Sequence, residues 1–192
     1  MASPRERILD AARRIFLDGP PEQATMDAVA QQAGMSKKTI YREFKSQLEL
    51  LAVLLAESVA DFGVYPPPKP GDDIELELYG VLARIITHVT SPRSTALARL
   101  LITEIRRYPE LVKQNSGKRY HIELLAQWLA SPEVRKAYDI GDPHEAASML
   151  FSMVLQDAAF RLILPYAPTI PCHVFETRAR KAAAIFLRGV KR

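Results

Sequence analysis

Ala30, Gly34 and Ile40 stand at relative positions 1, 5 and 11, with Val29 and Ala33 beside the first two. This spacing leaves a helical chain little choice. The alanine lets a second helix cross close by, the glycine takes the left-handed conformation of a tight turn, and the isoleucine buries against the first helix. The flanking residues supply the ends. Thr25 suits the N-cap of a short helix over 26–33, because its hydroxyl can accept an otherwise unpaired backbone N–H, and Gly34 ends that helix. Ser36 caps another over 37–44. Phe44, one turn beyond Ile40, closes a small core with Ile8, Ala12 and Phe16 of a preceding amphipathic helix that starts at Ser3-Pro4. A helix-turn-helix within a three-helix unit is predicted.

With Ile40 and Phe44 turned inward, the rest of "GMSKKTIYREF" faces out. Lys37, Lys38, Thr39, Tyr41 and Arg42 form a convex polar face, with Lys45 at its exit. The stretch from Gly34 to Lys45 carries +3 (Lys37, Lys38, Arg42 and Lys45 against Glu43), whereas the first fifty residues sum to only +1. Positive charge is therefore focused on one short helix. Lysine and arginine neutralise phosphates, Thr and Tyr hydroxyls donate to phosphate oxygens, and base edges are read from the same helix in a groove. A solvated helix face is the plain alternative for such a charge run. The spacing, the caps and the local charge together favour a DNA-binding surface.

The rest of the chain is helical by periodicity, with no sustained alternation and no Asn-Gly or Asp-Gly hairpin. Ser46 caps a fourth helix carrying Leu48, Leu51 and Leu55. "GVYPPPKPG" then places four prolines between Pro66 and Pro70, a stiff non-helical connection. Helices follow at roughly 72–90, 93–107, 109–130, 143–164 and 172–190, separated by proline-marked breaks. The expected fold is all-α: residues 1–47 as the helix-turn-helix domain and 48–192 as a larger helical domain. The net charge of +4 permits nucleic acid without demanding it. One cysteine, Cys172, excludes an internal disulfide framework, the N-terminus lacks the apolar core of a signal peptide, and no apolar stretch is long enough to span a bilayer. A cytoplasmic protein is expected.

Residues 8–51 resemble the N-terminal DNA-binding domain of the TetR/AcrR family of transcriptional regulators. The resemblance rests on Val29-Ala30, Gly34-Met35-Ser36, Thr39-Ile40-Tyr41, Phe44 and Leu50-Leu51. It implies that Thr39 and Tyr41 contact phosphates or bases, that Lys37 and Lys38 meet the major groove, and that Thr25 fixes the backbone where the second helix begins. Two departures stand out. Pro20-Pro21 replaces the family's usual Gly-Tyr, and Gln47 stands where a lysine usually touches a phosphate, leaving Lys45 as a substitute. The resemblance further implies a homodimer on a palindromic operator, a small and fairly apolar ligand, and a fourth helix that couples the two. No membrane partner and no cofactor are implied.

The larger domain is less readable. Glu104, Tyr120, Trp128, Phe151, Gln156 and Phe160 are the polar or large residues of its central helices and the candidates for a ligand pocket. Each serves plain core as readily, and Glu104 has Arg107 and Tyr120 as alternative partners. The last two long helices are apolar on more than one face, which suits a dimer interface through Met149, Met153, Leu164, Phe175, Ala182 and Phe186, or simply an interior position. His88, His121, His144 and His173 show no metal-ligand spacing, and no nucleophile motif or phosphate loop occurs. The expected function is a ligand-responsive repressor. A ligand-independent dimeric regulator, and a helical small-molecule carrier or enzyme with a vestigial helix-turn-helix, are the alternatives.

Overall fold

In a computed structural model of the chain, which describes residues 2–19, 24–60, 63–104, 109, 120–156 and 170–192, the first helix opens with a reciprocal cap. The Ser3 hydroxyl accepts from the Glu6 backbone N–H at 3.2 Å, and the Glu6 carboxylate accepts from the Ser3 N–H at 2.6 Å. Hydrogen bonds to that carboxylate, first from the Ser3 backbone N–H and then from its hydroxyl, hold the Glu6 carboxyl below its ordinary range. Helix α1 runs Pro4–Arg13 and widens into a π-turn over Arg14–Asp18, where a plain α-helix was expected. Gly19 follows at a close approach: a Cβ there would lie 2.7 Å from the Ile15 carbonyl oxygen.

The chain divides into two compact units, Met1–Asp61 with Pro92–Gly117, and Phe62–Ser91 with Lys118–Arg192. The first holds α1, α2 (Met26–Ala33), α3 (Lys37–Glu43), α4 (Gln47–Ala60) and α6 (Pro92–Glu104). Its core gathers Ile8, Ala12 and Phe16 with Val29, Ile40, Phe44, Leu50, Leu51 and Leu54, and α6 adds Leu100. Ile40 and Phe44 have no exposed surface, and burying each contributes about 1.5–3 kcal/mol. Two side chains are enough to fasten a seven-residue helix that would not persist alone.

The second unit holds α5 (Ile74–Val89), α7 (Tyr120–Leu129), α8 (Pro132–Ala137), α9 (Pro143–Leu155) and α10 (Cys172–Gly189). Helix α10 packs on α5 and α9, and α7 packs on α9. Leu78, Leu82, Ile85, Leu125, Trp128, Leu150 and Ala183 lie at the centre of its core. The proline-rich connection is non-helical over 63–73, and Tyr65 leaves it to join this core. No strand occurs among the described residues; one isolated antiparallel bridge pairs Tyr138 with Lys191.

Two features depart from the periodicity. Helix α8 occupies a segment expected as a break: Ser131-Pro132 starts it and fully buried Val134 anchors it. Helix α9, expected over 143–164, stops at Leu155, and residues 157–164 lie outside the described residues. Gln156 at its end takes φ 46° and ψ −126°, a conformation that ends a helix and strains any residue with a Cβ.

Candidate nucleic-acid interface

Local chemistry explains how α2 and α3 present their ends. The Thr25 hydroxyl accepts from the Ala28 N–H at 3.2 Å, so α2 starts where the sequence places it. Gly34 takes φ 63° at its end and donates back to Ala30 and Gln31. Arg7 adds a cap from α1, donating from Nη2 to the Ala33 carbonyl at 2.8 Å. The Ser36 hydroxyl accepts from the Thr39 N–H at 3.2 Å and shares a 3.0 Å hydrogen bond with the Thr39 hydroxyl. The turn between the helices is thus fixed at both rims.

On the outer face of α3, Tyr41 is 48% exposed while its neighbour Ile40 is fully buried. Lys38 and Lys45 are exposed, and neither ammonium has a carboxylate partner among the described residues, although the Lys45 backbone N–H donates to the Glu49 carboxylate at 2.8 Å. Lys37 does have one: its ammonium donates to Asp27 of α2 at 2.7 Å, and that hydrogen bond and charge raise its pKa. Arg42 Nε lies 3.3 Å from the Glu43 carboxylate. Arg5 reaches over from α1, stacking its guanidinium 4.4 Å from the Phe44 ring centre and donating to the Glu43 carbonyl at 3.4 Å. The structure therefore brings Lys37, Lys38, Thr39, Tyr41 and Arg42 onto one short helix, with Thr25 at the start of α2 and Lys45 just beyond α3.

Asp27 and Arg7 carry no signal of these contacts in the sequence, and Gln47 stands out there only as a departure from the family's lysine. Gln47 is 8% exposed, and its amide donates to the Ala24 carbonyl at 3.0 Å, tying the start of α4 to the approach of α2. Its residue type carried part of the signal, since a glutamine in a lysine's place is free to turn inward.

The other candidates are scattered. Glu104 ends α6 in the first unit, and its Oε2 has no hydrogen-bond partner among the described residues; Arg107 lies outside them. In the second unit Tyr120 is half-buried, Trp128 and Phe151 are buried, and Gln156 is exposed; Phe160 lies outside the described residues. The Trp128 indole N–H is buried without a partner among them, and the His121 and Phe151 rings stack 4.2 Å apart. Phe175, Ala182 and Phe186 are buried in that unit's core, Met153 is partly buried and Met149 is 56% exposed; Leu164 lies outside the described residues. A groove of about 400 Å³ between α9 and α10 is lined by Met149, Met153, Ile185, Phe186 and Val190, among others. No cluster of three metal-ligating side chains occurs, and no helix is long and apolar enough to cross a membrane, among the described residues.

Comparison with known proteins agrees with this geometry. Residues 8–54 match the model of bacterial regulatory proteins of the tetR family, and residues 77–189 match the C-terminal domain of AefR-like transcriptional repressors. The chain is 32% identical over 98 residues to the HTH-type transcriptional regulator SrpR of Pseudomonas putida, covering 51% of this chain but only 45% of SrpR. It is 30% identical over 171 residues to an HTH-type transcriptional regulator of Mycobacterium bovis, covering 86% of this chain and 80% of that one. Among solved structures, a TetR-family regulator from Mesorhizobium loti superposes with a TM-score of 0.85 at 24% identity, over 98% of this chain and 97% of that one. The flavonoid-responsive regulator FrrA gives 0.75 at 26%, over 98% and 97%. With both family models matched in order along one chain, the protein belongs to the TetR family of helix-turn-helix transcriptional regulators.

Proposed function

We propose that this regulator is a ligand-responsive repressor that binds a palindromic operator as a homodimer. Residues 1–47 carry DNA binding and 48–192 carry ligand binding and dimerisation. The observation that carries the reading is the division of α3 and its C-cap: Ile40 and the capping Phe44 fully buried, Lys38 and Tyr41 turned outward beside them. A helix so fastened presents its face without losing order on contact. Lys37, Lys38, Tyr41 and Arg42 meet the major groove, Thr25 and Thr39 position the backbone, and Lys45 takes a flanking phosphate in place of Gln47. Two-fold symmetry sets the two recognition helices about one DNA turn apart, ~34–36 Å.

The apolar groove of α9 and α10, with Met149 and Ile185 largely exposed at it, supports a second copy of the chain as its cover. The effector is a small, fairly apolar molecule. The Trp128 indole N–H, without a partner among the described residues, supports a ligand bearing one acceptor, and FrrA shares the fold under a name that states response to flavonoids. The protein works in the cytoplasm and by binding alone, without catalysis.

Selection of bound sequences from random duplexes tests the reading. A palindrome is expected, and Tyr41→Phe or Lys38→Ala should weaken its binding while leaving folding and dimerisation intact. If Lys38 sits on a phosphate, its loss should also lower the salt slope by ~1 with little change in base preference. Undiminished operator affinity in both variants would sink the assignment of α3.

A further inference from the structure

The outer face of α2 and α3 carries a carboxylate that attraction to phosphate does not account for. Asp27 accepts from Lys37 Nζ at 2.7 Å, with side chains 61% and 65% exposed. An ion pair that exposed adds little stability. For phosphate binding it is a handicap, because Asp27 neutralises the ammonium and any phosphate taking Lys37 must displace Asp27 and then lie beside it. Lys38 carries no such partner among the described residues.

We infer that Asp27 and Lys37 act together as a base reader for a G·C pair, Lys37 donating to guanine N7 and O6 and Asp27 accepting from cytosine N4. This rests on the assignment of α3 as the recognition helix. In the major groove a G·C pair presents two adjacent acceptors on guanine and then the cytosine amino donor. The O6 and N4 atoms are themselves hydrogen-bonded at about 2.9 Å. Their acceptor–donor spacing therefore matches the donor–acceptor spacing of Lys37 and Asp27. An A·T pair fits worse: a carboxylate on adenine N6 meets the N7 lone pair, and the ammonium is left with thymine O4 beside a methyl group. Away from the right base pair Asp27 repels the DNA, so it sharpens discrimination while lowering affinity for arbitrary sequence.

Parallel selections with wild type, Asp27→Asn and Asp27→Ala from duplexes randomised over about 20 base pairs test this, together with titration of each protein on a random-sequence duplex at several salt concentrations. Wild type should select a G·C pair at one position of each half-site. Both variants should lose that preference by about tenfold, bind the random duplex more tightly, and steepen its salt dependence by about one phosphate. Unchanged preference at every position, an A·T pair at the affected position, or equal weakening on all duplexes with an intact thermal transition would overturn the inference. Failure of wild type to enrich any sequence would instead overturn the operator reading beneath it.

Discussion

The guanidinium of Arg13 grips the carboxylate of Glu57 with two hydrogen bonds, 2.8 Å from Nη2 to Oε1 and 3.1 Å from Nε to Oε2. Arg13 ends α1 and Glu57 lies in the last turn of α4, so the pair joins two helices of the first unit through a planar, two-pronged contact. Arg93 of α6 approaches the same carboxylate at 3.4 Å, and Asp10 also pairs with Arg13. One carboxylate thus holds three helices together.

The side chains of Arg13 and Glu57 are 33% and 28% exposed, which places the pair between a surface and a buried one. Glu57→Gln should therefore destabilise the first unit by about 1–2 kcal/mol, at the low end for hydrogen bonds to charged groups. Asp10→Asn, at a carboxylate 65% exposed, should cost under ~0.5 kcal/mol. Urea unfolding with a double-mutant cycle on Arg13→Ala and Glu57→Gln separates the pair from its surroundings. A coupling energy near zero would reduce the contact to decoration.

Gln47 offers a second test, because a buried amide and a carbonyl depend on one bond. Gln47→Ala strips the Ala24 carbonyl of its donor and should cost about 1–3 kcal/mol. Gln47→Lys asks a different question. If the ammonium leaves the interior for the DNA backbone, stability falls while the salt slope of operator binding rises by ~1. If stability holds and the slope stays flat, the lysine has taken over the amide's bond, and the site is structural whichever residue fills it.

What the sequence discloses here follows the range of the interaction. Thr25, Gly34 and Ser36 act on backbone within three or four residues, and Ile40 and Phe44 share a face one turn apart, so spacing alone places all five. Asp27 and Lys37 are ten residues apart on different helices and Arg13 and Glu57 forty-four, beyond any local pattern. Gln156 breaks α9 inside an unbroken apolar periodicity, because nothing in the residue type announces a positive φ. Trp128 and Phe151 read the same in sequence whether they fill a core or line a pocket. The short helix α8 is not legible in the sequence because six residues hold too few turns to display a period.

Tyr65 gives the second unit a pH test. It leaves the proline-rich segment to bury in the core, and burial pushes its phenol up to about 12, with Arg84, 4.8 Å from the ring centre, pulling the other way. The ordinary value is about 10. Below that pH the folded and unfolded chains both keep the proton, and the contribution is intact. Between about 10 and 12 the unfolded chain ionises while the folded one does not, so stability falls as pH rises. Lysines titrate in the same window, which makes the comparison with Tyr65→Phe necessary: that variant differs from wild type by a constant offset at neutral pH and lacks the phenol's slope. Urea unfolding across this range should show wild type losing on the order of 1–2 kcal/mol relative to the variant. Parallel pH profiles would mean that the phenol ionises as easily in the folded protein as in water, and that its oxygen is not buried.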